Sequence, residues 1–330
     1  MKKIVVWGAR WCASRRGALP ILLPMNDMRA GIDNGTRRSG RNLLILIAGF
    51  LPALLLGVVW MRQSGIPAVV YMQNVVAAAL GLAVAGSCSH RRASTRLGVA
   101  IVVLALVLLL ATLIAEGAQS VHRWLRIGGV TVHVALLFIP LVLAELDRML
   151  REARVAFACG VMVTVAAVLA MQPDASQAIA FAGSAVLLLA LHRKRSRVAA
   201  AMLVLLALAG LSFMRTDPLA PVPHVEEIAI RIGARGAAWQ AAVIAALSLL
   251  LVPFVRRQRN VSTSAASAVA VYLALVIAAS YWGNFPVPVL GYGMSAIIGY
   301  FAGWTWLHAT GSETRPLSRD RSGDGSGGGQ

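Results

Sequence analysis

The sequence predicts an all-α fold, a polytopic transmembrane helix bundle of about ten spans with both termini in the cytoplasm, and three observations carry that prediction. Hydrophobic residues make up 58% of the 330-residue chain and charged residues only 13%, against about a quarter in soluble domains. The apolar residues come in runs of about sixteen to twenty-three, the length a helix needs to cross roughly 30 Å of hydrocarbon. Short basic clusters punctuate every second helix end, as cytoplasmic loops do.

Hydropathy windows place the spans at 42–60, 66–86, 97–115, 127–146, 154–171, 176–191, 196–213, 237–255, 264–282 and 287–309. Residues 1–41 read as a disordered basic leader and 310–330 as a flexible cytoplasmic tail. Arg10, Arg15 and Arg16 break the apolar stretch after Lys2 and Lys3, so a cleaved signal peptide fits poorly. With the N-terminus inside, the cytoplasmic segments hold 25 of the 31 Lys and Arg residues. The outer segments hold six: Arg62, Arg123, Arg126, Arg215, Arg231 and Arg235. That asymmetry fixes the orientation and puts a multi-pass protein in a cytoplasmic membrane.

The same distribution explains the net charge of +18 without nucleic acid. Cys12, Cys88 and Cys159 have no metal-ligand spacing and lie in or beside the cytoplasm or within a helix, so neither a disulfide framework nor a zinc site is expected. No cofactor is expected, and the sequence leaves the need for a divalent cation open. No internal repeat is evident, which counts against an inverted-repeat transporter. The small residues Gly299 and Gly303 mark a close helix contact within the bundle.

The longest internal loop, 214–236, faces outward and carries Asp217, three prolines, His224, Glu226 and Glu227. Three other elements share that face: Arg123-Trp124 before the fourth span, Gln172-Pro173-Asp174 after the fifth, and 286–295 entering the last span. Asp174 after Pro173 reads as a helix cap, Trp124 as an aromatic-belt anchor or a ligand contact, and His133 as an ionisable group inside a span.

These elements resemble, in order, motifs of the SEDS family of RodA, FtsW and SpoVE proteins. Residues 117–129, containing Arg123-Trp124, are similar to its Gly-Ala-x-Arg-Trp segment, and Met171-Gln172-Pro173-Asp174 resembles its Gln-Pro-Asp motif. Pro223-His224-Val225-Glu226-Glu227 is similar to its His-Thr-Asp loop. Phe285 to Ser295, with Pro288, Gly291, Tyr292 and Gly293, resembles its entry to the last helix. The match departs at the fourth helix, where the family's Glu and Lys are replaced within His133 to Ile139, and at Glu226, which stands where the family has aspartate.

The resemblance implies a peptidoglycan glycosyltransferase that polymerises lipid II with inversion and an undecaprenyl diphosphate leaving group. It implies Glu226 as catalytic base, and Arg123, Trp124, Arg126, Glu227 and Arg231 as substrate-binding residues. Gln172, Pro173, Asp174, Pro288, Gly291, Tyr292, Gly293 and Ser295 are then structural motif residues. A penicillin-binding protein is the implied partner, in a bacterial inner membrane. Because two departures fall on functional positions, two other readings stand beside it: a catalytically degenerate scaffold of a cell-envelope complex, and a flippase for a lipid-linked precursor.

Overall fold

The computed structural model describes residues 25–88, 92–115, 117, 121–192, 196–215, 219–258 and 261–311, with the backbone alone for 25–39, 196 and 197. Ten helices of 13 residues or more occur among the described residues, in the places of the ten expected spans. They are α1 (Met25–Gln63), α2 (Ala68–Cys88), α3 (Thr95–Ile114), α4 (Val134–Arg151), α5 (Val155–Met171), α6 (Ala175–His192), α7 (Ser196–Phe213), α9 (Ala237–Leu249), α11 (Thr263–Ala279) and α12 (Met294–Gly311). Two short helices, α8 (Ile228–Gly233) and α10 (Val252–Val255), complete the set, with one hairpin of β1 (Trp124–Ile127) and β2 (Val130–His133). The molecule is an all-α membrane helix bundle. Among the described residues, α1, α2, α3, α6 and the α9–α10 stretch Ala237–Val255 are long and apolar enough to cross a bilayer by length and composition.

Several helices are apolar on all sides, as the bilayer requires. In α3, Gly98, Val102, Ala105 and Leu109 face inward while Val103, Leu104, Val107, Leu110 and Ile114 stay exposed. Helices α4, α6, α11 and α12 form the interior. Close approach there depends on small residues: a Cβ on Gly303 would meet Pro140 Cβ at 2.5 Å, and one on Gly299 would collide with the carbonyl of Leu136.

The structure corrects four expectations. The fourth span does not start at 127: residues 124–133 form the antiparallel hairpin, and α4 begins only at Val134. Hydropathy windows cannot distinguish an apolar strand from a helix. Here Gly128 and Gly129, with φ of +56° and +84°, make the two-residue turn that left-handed backbone demands, and Val130-Thr131-Val132 favours the strand. His133 accordingly lies outside the helix body, as the N-cap of α4.

The eighth span is broken between α9 and α10, because Pro253 lacks an N–H and its ring crowds the carbonyl four residues back, at Leu249. The last helix begins at Met294 rather than 287, since residues up to Gly293, with φ of +148°, form a buried loop. Helix α1 begins at Met25, inside the segment read as leader. The tail beyond Gly311 and Asp217 of the long loop lie outside the described residues.

Candidate functional site

At the N-terminal end of α6, Asp174 caps the helix as its sequence suggests. Its Oδ1 accepts from the Ser176 hydroxyl (2.9 Å) and the Gln177 amide (3.3 Å). Its Oδ2 faces the other way, 3.3 Å from His133 Nε2 and 4.0 Å from Arg123 Nε. All three side chains are buried. Burial pushes the Asp174 carboxyl up, but the guanidinium of Arg123, the contact with His133 and the Ser176 hydroxyl outweigh it and bring it down to about 2. The centre therefore holds a fixed negative charge beside a fixed positive one.

Each partner is itself braced. Arg123 lies over the rings of Trp124 (5.4 Å) and Phe285 (5.7 Å), so the hairpin and the segment before the last helix share one guanidinium. His133 Nδ1 accepts a long bond from Leu136 N (3.5 Å), leaving Nε2 to face the carboxylate. The His133 amide donates to Ser295 Oγ (2.9 Å), which ties the start of α4 to the start of α12. Polar contacts continue inward from Ser176 to Gln177, whose Oε1 accepts from Tyr272 Oη at 2.5 Å. Gln172 anchors the same corner to α3, donating to Thr112 Oγ1 (2.5 Å) and Leu109 O (3.2 Å).

The long loop between α7 and α9 is fastened to the loop before α12 by main-chain bonds. Val287 N donates to Val225 O (3.2 Å), and Tyr292 N to His224 O (3.0 Å). Asn74, fully buried in α2, fixes this loop at two points: Nδ2 donates to Gly291 O (2.9 Å) and Oδ1 accepts from Gly293 N (3.1 Å). Tyr292 Oη donates to Gln73 Oε1 (3.2 Å). Gly291 is needed because a Cβ there would lie 2.6 Å from Val225 O.

Of the expected site residues, Glu226 is buried to 8% exposure, and its carboxylate accepts from Val222 N (2.8 Å). Glu227 and Arg231 pair with each other at 2.7 Å, one helical turn apart on α8. Trp124 is half-buried and Arg126 exposed on β1. The structure thus joins Arg123, Asp174, His133 and Ser295 in one set of contacts and Tyr292 to His224 in another, while Arg126 stands at the hairpin's exposed end. Among the described residues no group of three or more His, Cys, Asp or Glu could hold a metal ion. A lateral groove of about 300 Å³ between α9 and α11, lined in part by Gln240, Ile244, Ile277 and Tyr281, includes none of the motif residues.

The sequence reading missed two groups. The first is Asn74, a polar residue within an apolar span. The other group lies toward the C-terminal end of α4. There Glu145 accepts from Arg148 Nε (2.9 Å) and Trp306 Nε1 (2.6 Å), and Asp147 accepts from His192 Nε2 (2.8 Å), Arg151 Nε (2.8 Å) and Ser264. The signal was available: ionisable residues within one turn of an apolar helix seldom occur unless they are paired.

No protein-family model matches the sequence, and no curated protein matches it. Solved structures do match. RodA from Thermus thermophilus, the rod shape determining protein, superposes with a TM-score of 0.54 at 17% identity, over 80% of this chain and 94% of that one. An aspartate-to-alanine variant of the same protein gives 0.60 at 18% identity, over 81% and 95%. The chain has the fold of RodA. A chain of a peptidoglycan synthase complex, described as coordinating polymerization and crosslinking, gives 0.59 at 18% identity over 81% of this chain and 97% of that one. The RodA-like bundle therefore accounts for nearly the whole of each neighbour.

Proposed function

We propose that this protein is a SEDS-type glycosyltransferase that polymerises lipid II in the bacterial inner membrane, with ten crossings and both termini in the cytoplasm. One observation supports this most: four segments far apart in sequence, each resembling a SEDS motif, are bonded together at one end of a RodA-like bundle. In the reaction a sugar hydroxyl of one lipid II attacks the anomeric carbon of another. A new glycosidic bond forms, the bond to undecaprenyl diphosphate breaks with inversion, and Glu226 takes the hydroxyl proton. Arg126 and Arg231 stabilise the departing diphosphate. Arg123, buried against Asp174 and stacked on Phe285, holds the hairpin and the last-helix entry in place. Trp124 offers its half-buried ring to a sugar face.

The test is polymerisation of lipid II by the purified protein, with and without a candidate penicillin-binding protein, comparing wild type with Glu226→Gln. The proposal expects polymer from the wild type alone. Equal polymer from both sinks the role of Glu226, and no polymer under any condition sinks the enzyme.

A second reading, a non-catalytic scaffold for a cell-envelope complex, is favoured by one specific observation. Leu136 and Ile139, which stand where the family has its fourth-helix Glu and Lys, are buried among apolar neighbours. Stable co-purification with a penicillin-binding protein in the absence of polymer would support it.

A further inference from the structure

The β1–β2 hairpin carries more pattern than its role in the polar centre requires. Residues alternate strictly between its two faces. Register pairs Trp124 with His133 and Arg126 with Thr131 on one face, and Leu125 with Val132 and Ile127 with Val130 on the other. The first face carries every polar side chain of the ribbon and delivers His133 to Asp174. The second is wholly aliphatic. Toward the turn this aliphatic face finds no cover: Ile127 is 59% and Val130 43% exposed, while Leu125 and Val132, nearer the bundle, are half-buried.

We infer that the aliphatic face of this hairpin seats in the headgroup interface of the phospholipid bilayer, as a wedge that sets the height of the polar centre against the membrane. Three features point to lipid as the occupant. The hairpin packs through β1 against α3, a helix whose Leu104, Val107, Leu110 and Ile114 are all exposed. Trp124, half-buried on the opposite face, is the amphipathic residue found at this depth. Among the described residues the ribbon is a two-stranded sheet with no third strand on either edge. Apart from the His133 amide, taken by Ser295, outward-facing backbone groups along those edges are costly in hydrocarbon, so the ribbon stops at the interface rather than entering the core. The inference rests on the membrane bundle and not on the proposed glycosyltransferase activity.

The wedge is tested with single nitroxide-labelled cysteines in the full chain. The variants Ile127→Cys, Val130→Cys and Thr131→Cys are each made with Cys12, Cys88 and Cys159 changed to serine, and reconstituted in vesicles of phosphatidylethanolamine and phosphatidylglycerol. Collision rates are measured with oxygen, which partitions into lipid, and with a water-soluble nickel chelate. The expected result is an oxygen-to-nickel ratio several-fold higher at 127 and 130 than at 131. Equal ratios at all three sites overturn the proposal. Shielding of 127 and 130 in native membranes but not in pure lipid vesicles also overturns it, in favour of a protein partner. Two independent apolar sites keep the test decisive should one variant fold poorly.

Discussion

Asp174 Oδ2 lies 3.3 Å from His133 Nε2, so an imidazole that hydropathy assigns to a membrane span instead meets the carboxylate that caps α6. The contact draws together the hairpin, the start of α4 and the turn between α5 and α6. Leu136 and Ile139, which stand where the SEDS resemblance has a glutamate and a lysine, lie about one and two turns further along α4.

Replacing Asp174 with alanine removes the carboxylate that faces the buried Arg123 and His133. Breaking one partner of a buried charged pair costs about 3–5 kcal/mol. A large drop in melting temperature in detergent is expected, and a change smaller than that seen for exposed Arg126→Ala would contradict the reading.

The same group predicts acid behaviour. Its folded value of about 2 lies below the ordinary 3.8, so the stabilisation it provides is fully present above the ordinary value and is lost as the pH falls from about 4 through about 2. Melting temperatures measured across that range should fall more steeply for wild type than for Asp174→Asn. Parallel profiles would refute the assignment.

Asn74→Ala deletes the two bonds that hold the loop before α12, at about 1 kcal/mol each. Limited proteolysis should then cut within 285–293 much faster. If the fastening of the loop is what matters, Gly291→Ala should do the same by forcing Val225 aside. Unchanged cleavage in both variants would show that the loop is held elsewhere.

Glu226→Gln keeps an oxygen able to accept from Val222 N, so the loop should keep its shape and the protein its melting temperature. Polymerisation should vanish all the same. A loss of stability in step with the loss of activity would assign Glu226 to folding rather than to proton transfer.

At the other end of α4, Trp306→Phe removes the donor to Glu145 while leaving the ring volume largely filled. A loss of about 1–3 kcal/mol is expected, because the donor served a buried charged acceptor. A neutral result would mean that Arg148 alone satisfies that carboxylate.

Much of this was legible in the chain itself. Apolar runs of bilayer length determined the order of the main helices, since a helix is the economical way to satisfy backbone polar groups in lipid. The cap at Asp174 was readable from Pro173-Asp174, and the long loop from its prolines and charges. The sequence by itself also singled out most of the residues that meet at the polar centre, because they break an otherwise apolar pattern. It could not say which touch. Whether residues 127–133 were strand or helix depended on a diglycine turn that a hydropathy average erases, and the break after α9 on a proline that such an average scores as harmless. The pairing of His133 with Asp174 and the hold of Asn74 on Gly291 and Gly293 were decided by the tertiary structure alone. Both join residues far apart in the chain, 217 positions in the case of Asn74 and Gly291. Such bonds form only when helix packing brings the partners together in an interior where an unmet polar group is costly.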